Sequence, residues 1–229
     1  MIHWLVQSLE AHPDLLQGLA PAGLLSPAEV ARFHALKSAK RRRDWLLGRW
    51  TAKQLLRQVM ARDGSTVALD AIVVDNDDSG APVVNDPPFS LSISHSHGYA
   101  FCAAVAHPAW PLGADLEWIV PRASTFASDF FTEAEAALVA RAPAAARDVL
   151  MTAIWSAKEA ALKALHLGLR VDTRTVACLV EPVPERPPVW TPFAISWDAQ
   201  RLDRPAPPLA GWWRVSDNFV LTLVTQREV

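Results

Sequence analysis

Between Leu112 and Ile119 the chain alternates with a period of two. Leu112, Ala114, Leu116 and Trp118 fall on one side, and Gly113, Asp115 and Glu117 on the other. Successive side chains of a strand point to opposite faces, so the segment reads as a strand carrying two carboxylates side by side. One reading is the solvent face of an antiparallel sheet. The other is a cation site, because adjacent acids repel unless a cation or basic group lies between them. The apolar flanks suit an ordinary solvent edge poorly, yet the pair alone leaves the solvent face ahead; only together with Glu159 does the cation site become the better reading.

A matching set of polar groups lies on a predicted helix over about 147–166. Within Trp155-Ser-Ala-Lys158-Glu159-Ala-Ala-Leu-Lys163, Glu159 and Lys163 are four apart and share one face. At 100° per residue, Met151, Ile154, Trp155, Leu162 and Leu165 form the apolar stripe, with Glu159 and Lys163 beside Thr152 and Ser156 on its polar flank. Taken alone, that pair reads first as an ordinary surface ion pair. Lys158 is stranger, since it falls inside the apolar stripe. It either snorkels to the edge or aims its ammonium at something. Three carboxylates and two ammonium groups in an apolar setting suit a divalent cation and a polyphosphate.

Elsewhere the pattern is mixed helix and strand. Ser26-Pro27-x-Glu29 and Phe131-Thr132-x-x-Glu135 are helix starts, the second with a capping-box signature. A long helix is predicted over about 38–61. Strands are predicted over 68–74, 89–94, 99–106, 112–119 and 171–180, with a closing hairpin at 212–215 and 219–225. The serines that alternate with Phe89, Leu91 and Ile93 suggest a polar outer face. The proline-rich stretches 182–192 and 204–208 should not lie in central strands. Apolar strands ending each half, Gly98–Val105 and Asn218–Val224, form a weak echo. The expectation is two related α+β halves, 1–110 and 111–229, each running helix first and strands after.

Composition sets the outer bounds. The chain has 229 residues, 51% of them hydrophobic and 20% charged, so it can bury a sizeable core and is not a disordered polymer. Its net charge of −2 argues against a general nucleic-acid binder. Cys102 and Cys178 sit in apolar runs and read as buried thiols of a reducing compartment. No signal-peptide pattern and no apolar run of membrane-spanning length is present. The expectation is therefore a cytoplasmic protein with no membrane or nucleic-acid partner.

Two further polar islands stand out. Lys37, Lys40, Arg41, Arg42 and Arg43 place five cations in seven residues, with Arg49, Lys53 and Arg57 following. Ser94-His95-Ser96 closes a strand. Each can be plain solvated surface, and each can also receive an anion.

Taken in order, the basic helix, Gly80-x-Pro82, Ser94-His95-Ser96, Gly113-x-Asp115-x-Glu117, Phe130-Phe131-x-x-x-Glu135 and Trp155-x-x-Lys158-Glu159-Ala-x-x-Lys163 resemble the surfactin-type 4′-phosphopantetheinyl transferases. The resemblance spans about residues 37–169. It implies a monomeric pseudo-dimer of two α+β halves with coenzyme A in the cleft between them. The implied reaction moves phosphopantetheine from coenzyme A to a serine of an apo acyl, peptidyl or aryl carrier protein and releases 3′,5′-ADP. Asp115, Glu117 and Glu159 would then bind Mg²⁺, and Lys163 would stabilise the phosphoryl group in flight. Glu159, or a water ordered by Glu135 or Glu159, would take the serine proton. Arg42, Arg49, Gly80, Pro82, Ser94, His95 and Lys158 would hold the coenzyme.

Two departures from the family pattern are visible. Ala81 stands where a cation is common, and Leu167-Gly168-Leu169 replaces Lys-Gly-Leu. The competing readings are a metal-dependent nuclease, which the acids, lysine and basic helix would also suit, and a non-catalytic nucleotide-binding module.

Overall fold

The computed structural model describes residues 1–61, 67–181, 189–202 and 205–227. The chain divides into two compact units, Met1–Trp110 and Pro111–Val229. In the first, strand β1 (His3–Ser8) and the short helix α1 (Pro13–Leu16) precede helices α2 (Pro27–Ala35) and α3 (Ala39–Ala61). Strands β2 (Asp75–Asn76), β3 (Pro82–Asn85), β4 (Pro88–Ser96) and β5 (Tyr99–Val105) follow. The second unit runs β6 (Leu112–Trp118), α4 (Phe126–Phe130), α5 (Glu133–Arg141) and α6 (Ala144–Ala164). It ends with β7 (Val176–Leu179), β8 (Thr191–Trp197), β9 (Leu209–Ser216) and β10 (Phe219–Gln226).

The two antiparallel sheets repeat one plan. Their strand orders are β1-β5-β4-β3-β2 and β6-β10-β9-β8-β7, so the fifth strand of each unit returns beside the first. β5 and β10, the source of the weak sequence echo, hold equivalent places. Each unit opens with a strand, not with a helix, as the expected order had it. Helix α3 packs on β1, β4 and β5, and α6 on β6, β7, β9 and β10. Both helices are buried through their middles.

Several sequence expectations change here. Residues 69–71 form a 3₁₀ turn, and only Asp75–Asn76 of that region pairs as a strand. Likewise 173–175 are a 3₁₀ turn, and the strand begins at Val176. Ser92 and Ser94 are buried, so β4 has no open polar face. Pro192 lies inside β8, an internal strand. It is tolerated because that stretch pairs only with β9, whereas β7 pairs further along at Ala194–Trp197. Of the expected loops, residues 182–188 and 204 lie outside the described residues.

The same device anchors the long helix in each unit. Ser26 caps α2, and its capping-box partner Glu29 accepts a hydrogen bond from Lys53 Nζ of α3, which also donates to the Leu24 carbonyl. Thr132 caps α5, and its partner Glu135 accepts from Lys158 Nζ of α6 at 2.7 and 2.9 Å, while the same ammonium donates to the Val176 carbonyl. A helix-start signature thus serves twice, as a cap and as the counter-charge for a lysine driven into the core. Removing one partner of such a pair costs about 3–5 kcal/mol, because the other charge stays buried and unpaired. Glu135→Gln should lower the unfolding free energy by about that amount, read as a lower denaturant midpoint at unchanged slope, and adding Lys158→Met should restore much of the loss. Equal instability of the single and double variants, by urea unfolding, would contradict this account.

Candidate active site

Gly113 decides where the second unit can place its acids. A Cβ at that position would lie 1.8 Å from the Ala160 carbonyl oxygen, so β6 and α6 touch backbone to backbone. The facing side of α6 is correspondingly small. Ala153, Ala157, Ala160, Ala161 and Ala164 are all buried there; of the predicted stripe, Ile154, Leu162 and Leu165 are buried and Met151 and Trp155 are half-buried. This close approach carries Asp115 and Glu117, two and four residues further along β6, under the polar side of α6.

Each acid is met by named donors. Asp115 Oδ1 accepts from Lys163 Nζ at 2.6 Å and Oδ2 from Ser156 Oγ at 2.8 Å. Thr222 of β10, paired with Asp115 in register, lies 2.8 Å from Ser156 Oγ. Glu117 accepts from Trp155 Nε1 and from Arg122, both at 3.2 Å. Glu159 is the exception, for its carboxylate forms no hydrogen bond among the described residues. Burial, reinforced by Asp115, pushes its carboxyl up to about 7, with Lys163 opposing and Glu117 adding to the rise. Burial also raises Glu117, with Asp115 second and Arg122 opposing. The sequence reading brought together Asp115, Glu117, Glu159 and Lys163. It missed the supporting roles of Trp155, Ser156 and Arg122. Ser156 was legible as a neighbour of Glu159 on the polar flank; Arg122 follows no spacing rule.

Lys158 and Glu135 go elsewhere. Both side chains are 0% exposed and spend their charges on each other, and Glu135 Oε1 also accepts from the Cys178 amide at 2.6 Å. This geometry corrects the expectation that Glu135 helps deprotonate a substrate and that Lys158 binds coenzyme. Neither group is presented to a ligand.

A family model for the 4′-phosphopantetheinyl transferase superfamily matches residues 111–222, and one for the 4′-phosphopantetheinyl transferase N-terminal domain matches 29–106. The chain belongs to the 4′-phosphopantetheinyl transferase superfamily. The match to the superfamily model runs from the start of β6 into β10 and includes all four acidic and basic groups of the site. The chain is also similar to the holo-[acyl-carrier-protein] synthase of Streptococcus agalactiae, at 31% identity over 86 residues, 36% of this chain and 72% of that protein. The Streptococcus thermophilus enzyme of the same name matches at 34% over 86 residues, 36% of this chain and 71% of that protein. Among solved structures, it is similar to a Bacillus anthracis holo-(acyl-carrier-protein) synthase in complex with CoA (3′,5′-ADP). That match has 25% identity, a TM-score of 0.37, and covers 45% of this chain and 91% of that one.

The first unit of this superfamily member holds a cavity of about 410 Å³, lined in part by Arg32, Arg41, Arg49, Asn76 and His95. Gly80 and Pro82 also line it, at the β2–β3 turn where Gly80 has φ +87°. The expected residues therefore separate. Arg49, His95, Gly80 and Pro82 face one cavity. Arg42 instead donates to the Leu36 carbonyl at 2.8 Å, and Ser94 is buried in β4 outside the cavity lining. Arg41 takes the place expected for Arg42.

Glu159 makes the ligand-free stability depend on pH with a definite sign. A carboxyl raised above its unfolded value stabilises the fold below the unfolded pKa and loses that contribution as pH rises through about 7. Glu159→Gln should therefore gain stability relative to the parent between pH 5 and pH 8, by something on the order of 2 kcal/mol. Thermal melts of both proteins in chelator, across that range, check it; parallel profiles would remove Glu159 from the buried acidic group. In the same unit, Gly113→Ala should cost several kcal/mol, since the clash is with backbone and not with a flexible side chain.

Proposed function

We propose that the Asp115–Glu117–Glu159–Lys163 constellation transfers the 4′-phosphopantetheine group of coenzyme A to a serine hydroxyl of an apo carrier protein. The observation that carries this reading is the group of one buried and two half-buried carboxylates, with Lys163 Nζ 2.6 Å from Asp115, inside the stretch matched by the superfamily model. Phosphoryl transfer asks the protein mainly for positioning and charge neutralisation.

Among the described residues, no three His, Cys, Asp or Glu side chains form a ready metal-holding group. The donor chemistry nevertheless suits a hard divalent cation. The three groups are all carboxylates, and Glu159 stands raised by burial and by its neighbours, a strain that a cation would relieve. Asp115, Glu117 and Glu159 would hold Mg²⁺, which when bound supplies positive charge to the pyrophosphate oxygens. Lys163, drawn to Asp115, presents its ammonium to the phosphoryl group as charge moves to the departing 3′,5′-ADP. Glu159, or a water that it orders, takes the serine proton as the new P–O bond forms and the old one breaks. Trp155 and Arg122 hold Glu117 in place, and Ser156 does the same for Asp115.

In the first unit, the arginines and His95 of the cavity would take the 3′-phosphate of coenzyme A. The nuclease alternative loses to family membership. Buried free thiols at Cys102 and Cys178 suit a reducing cytoplasm, and among the described residues no helix is long and apolar enough to cross a membrane. We take the working form to be a monomer.

Lys163→Met should lower kcat by roughly 10²-fold or more while leaving the coenzyme A KM nearly unchanged, the signature of a group that acts in the transition state. A raised KM with unchanged kcat, in steady-state transfer to an apo carrier, would make Lys163 a binding residue. Ala81 lies beside the cavity-lining Gly80 and Pro82 and brings no charge. Ala81→Lys should tighten coenzyme A by about 1 kcal/mol at low salt and by less at high salt. Weaker or unchanged binding by calorimetry at low salt would place the phosphates away from this turn.

A further inference from the structure

The two capping-box glutamates differ in one respect that bears on ligand binding. Glu135 is saturated. Its oxygens accept from Lys158, from the Thr132 amide and hydroxyl, and from the Cys178 amide. Glu29 is not. Its Oε2 accepts from Lys53 and from the Ser26 amide, and its Oε1 is buried without a hydrogen bond. That oxygen lies 3.6 Å from Arg49 Nε, which is likewise buried and without a hydrogen bond. The Arg49 side chain is 5% exposed, yet it lines the cavity. It lies over the Trp45 ring at 4.8 Å and donates to Asn76 Oδ1 at 2.8 Å. Burial, opposed first by Glu29, lowers Arg49 to about 10, so it stays protonated at neutral pH.

A buried guanidinium needs a counter-charge, and a rigid one aims it. Glu29 is itself fixed by the α2 cap and by Lys53, and so offers Arg49 a firm anchor on the side away from solvent. The cavity side is left for an anion. We propose that Glu29 is a positioning residue: through its Oε1 it sets the orientation of Arg49 for phosphate recognition in the first-unit cavity. Its counterpart Glu135, with no oxygen to spare, has a purely architectural role. The inference rests on the assignment of that cavity to the 3′-phosphate of coenzyme A.

The test compares coenzyme A with 3′-dephospho-coenzyme A by calorimetry in four proteins: the parent, Glu29→Gln, Arg49→Met and the double variant. Glutamine retains the capping geometry and removes the charge. The parent should prefer coenzyme A. Arg49→Met should reduce that preference about 10-fold, and Glu29→Gln about 5-fold. The double variant should match Arg49→Met alone, because residues acting through one another are not additive. If Glu29→Gln unfolds because Lys53 loses its partner, the same series on a Lys53→Met background removes that charge and keeps the comparison. Loss of preference in Arg49→Met with full preference in Glu29→Gln would overturn the positioning role alone, as would additive losses. An unaltered preference in Arg49→Met would overturn the cavity assignment and the proposal with it.

Discussion

The backbone contact between Gly113 and Ala160 is the constraint on which the rest of the site depends. Strand and helix can lie this close only where one lacks a side chain and the other offers alanines. The contact costs the site any larger residue at 113. In return, Asp115 comes within 2.6 Å of Lys163 and 2.8 Å of Ser156, and Glu117 within reach of Trp155. With Glu159 on the same helix, burial and then the charge of Asp115 raise the proton affinity of Glu117 and Glu159. The electrostatic character of the site is thus a consequence of packing. Widening the gap by one methyl group would separate the charges before it changed any of them.

The duplicated plan explains how such a site is held. Both units fix a long helix with a capping-box glutamate and a buried lysine, Glu29 with Lys53 and Glu135 with Lys158. Counting from that lysine, the second unit places an acid one residue on and a lysine five residues on, Glu159 and Lys163. The first unit has Gln54 and Gln58 at the same offsets. The shared device therefore supports two different surfaces. One is acidic and suited to charge transfer, the other a cavity lined by arginines. Lys158 and Lys163 sit on one helix only five residues apart and do unrelated work, because one points into the core and the other toward Asp115.

The acids and Lys163 were legible in the sequence because period two and the four-residue helix spacing are local rules, and local rules survive folding. Lys158 was legible as an anomaly, an ammonium in an apolar stripe, but its destination was not, since Glu135 is 23 residues away. The glutamate itself was visible as a capping residue, and nothing in the capping pattern says that it also neutralises a core lysine. The predicted helix stripe found the buried Ile154, Leu162 and Leu165 and overlooked the alanine face, for a related reason. Large side chains dominate a periodicity count, whereas a close contact is made by the small ones, here the α6 alanines. Arg42 and Arg41 are adjacent in a run of cations, and only the position of the Leu36 carbonyl separates the capping arginine from the cavity-lining one. The strand expected at 68–74 holds a 3₁₀ turn over 69–71, and the one expected at 171–180 begins only at Val176, because Asp172 accepts from the Arg174 amide and caps a 3₁₀ turn over 173–175.

The central claim is that the second unit's acids and lysine move phosphopantetheine onto a carrier serine. Intact-mass spectrometry of an apo carrier protein, incubated with the chain, coenzyme A and Mg²⁺, tests it most directly. The account predicts conversion of the carrier to a species heavier by one phosphopantetheine, with 3′,5′-ADP released in equal amount. The mass should not change with chelator present or with a folded Asp115→Asn, Glu159→Gln variant. An unmodified carrier across a panel of acyl and peptidyl carriers, or full conversion by that variant, would contradict it.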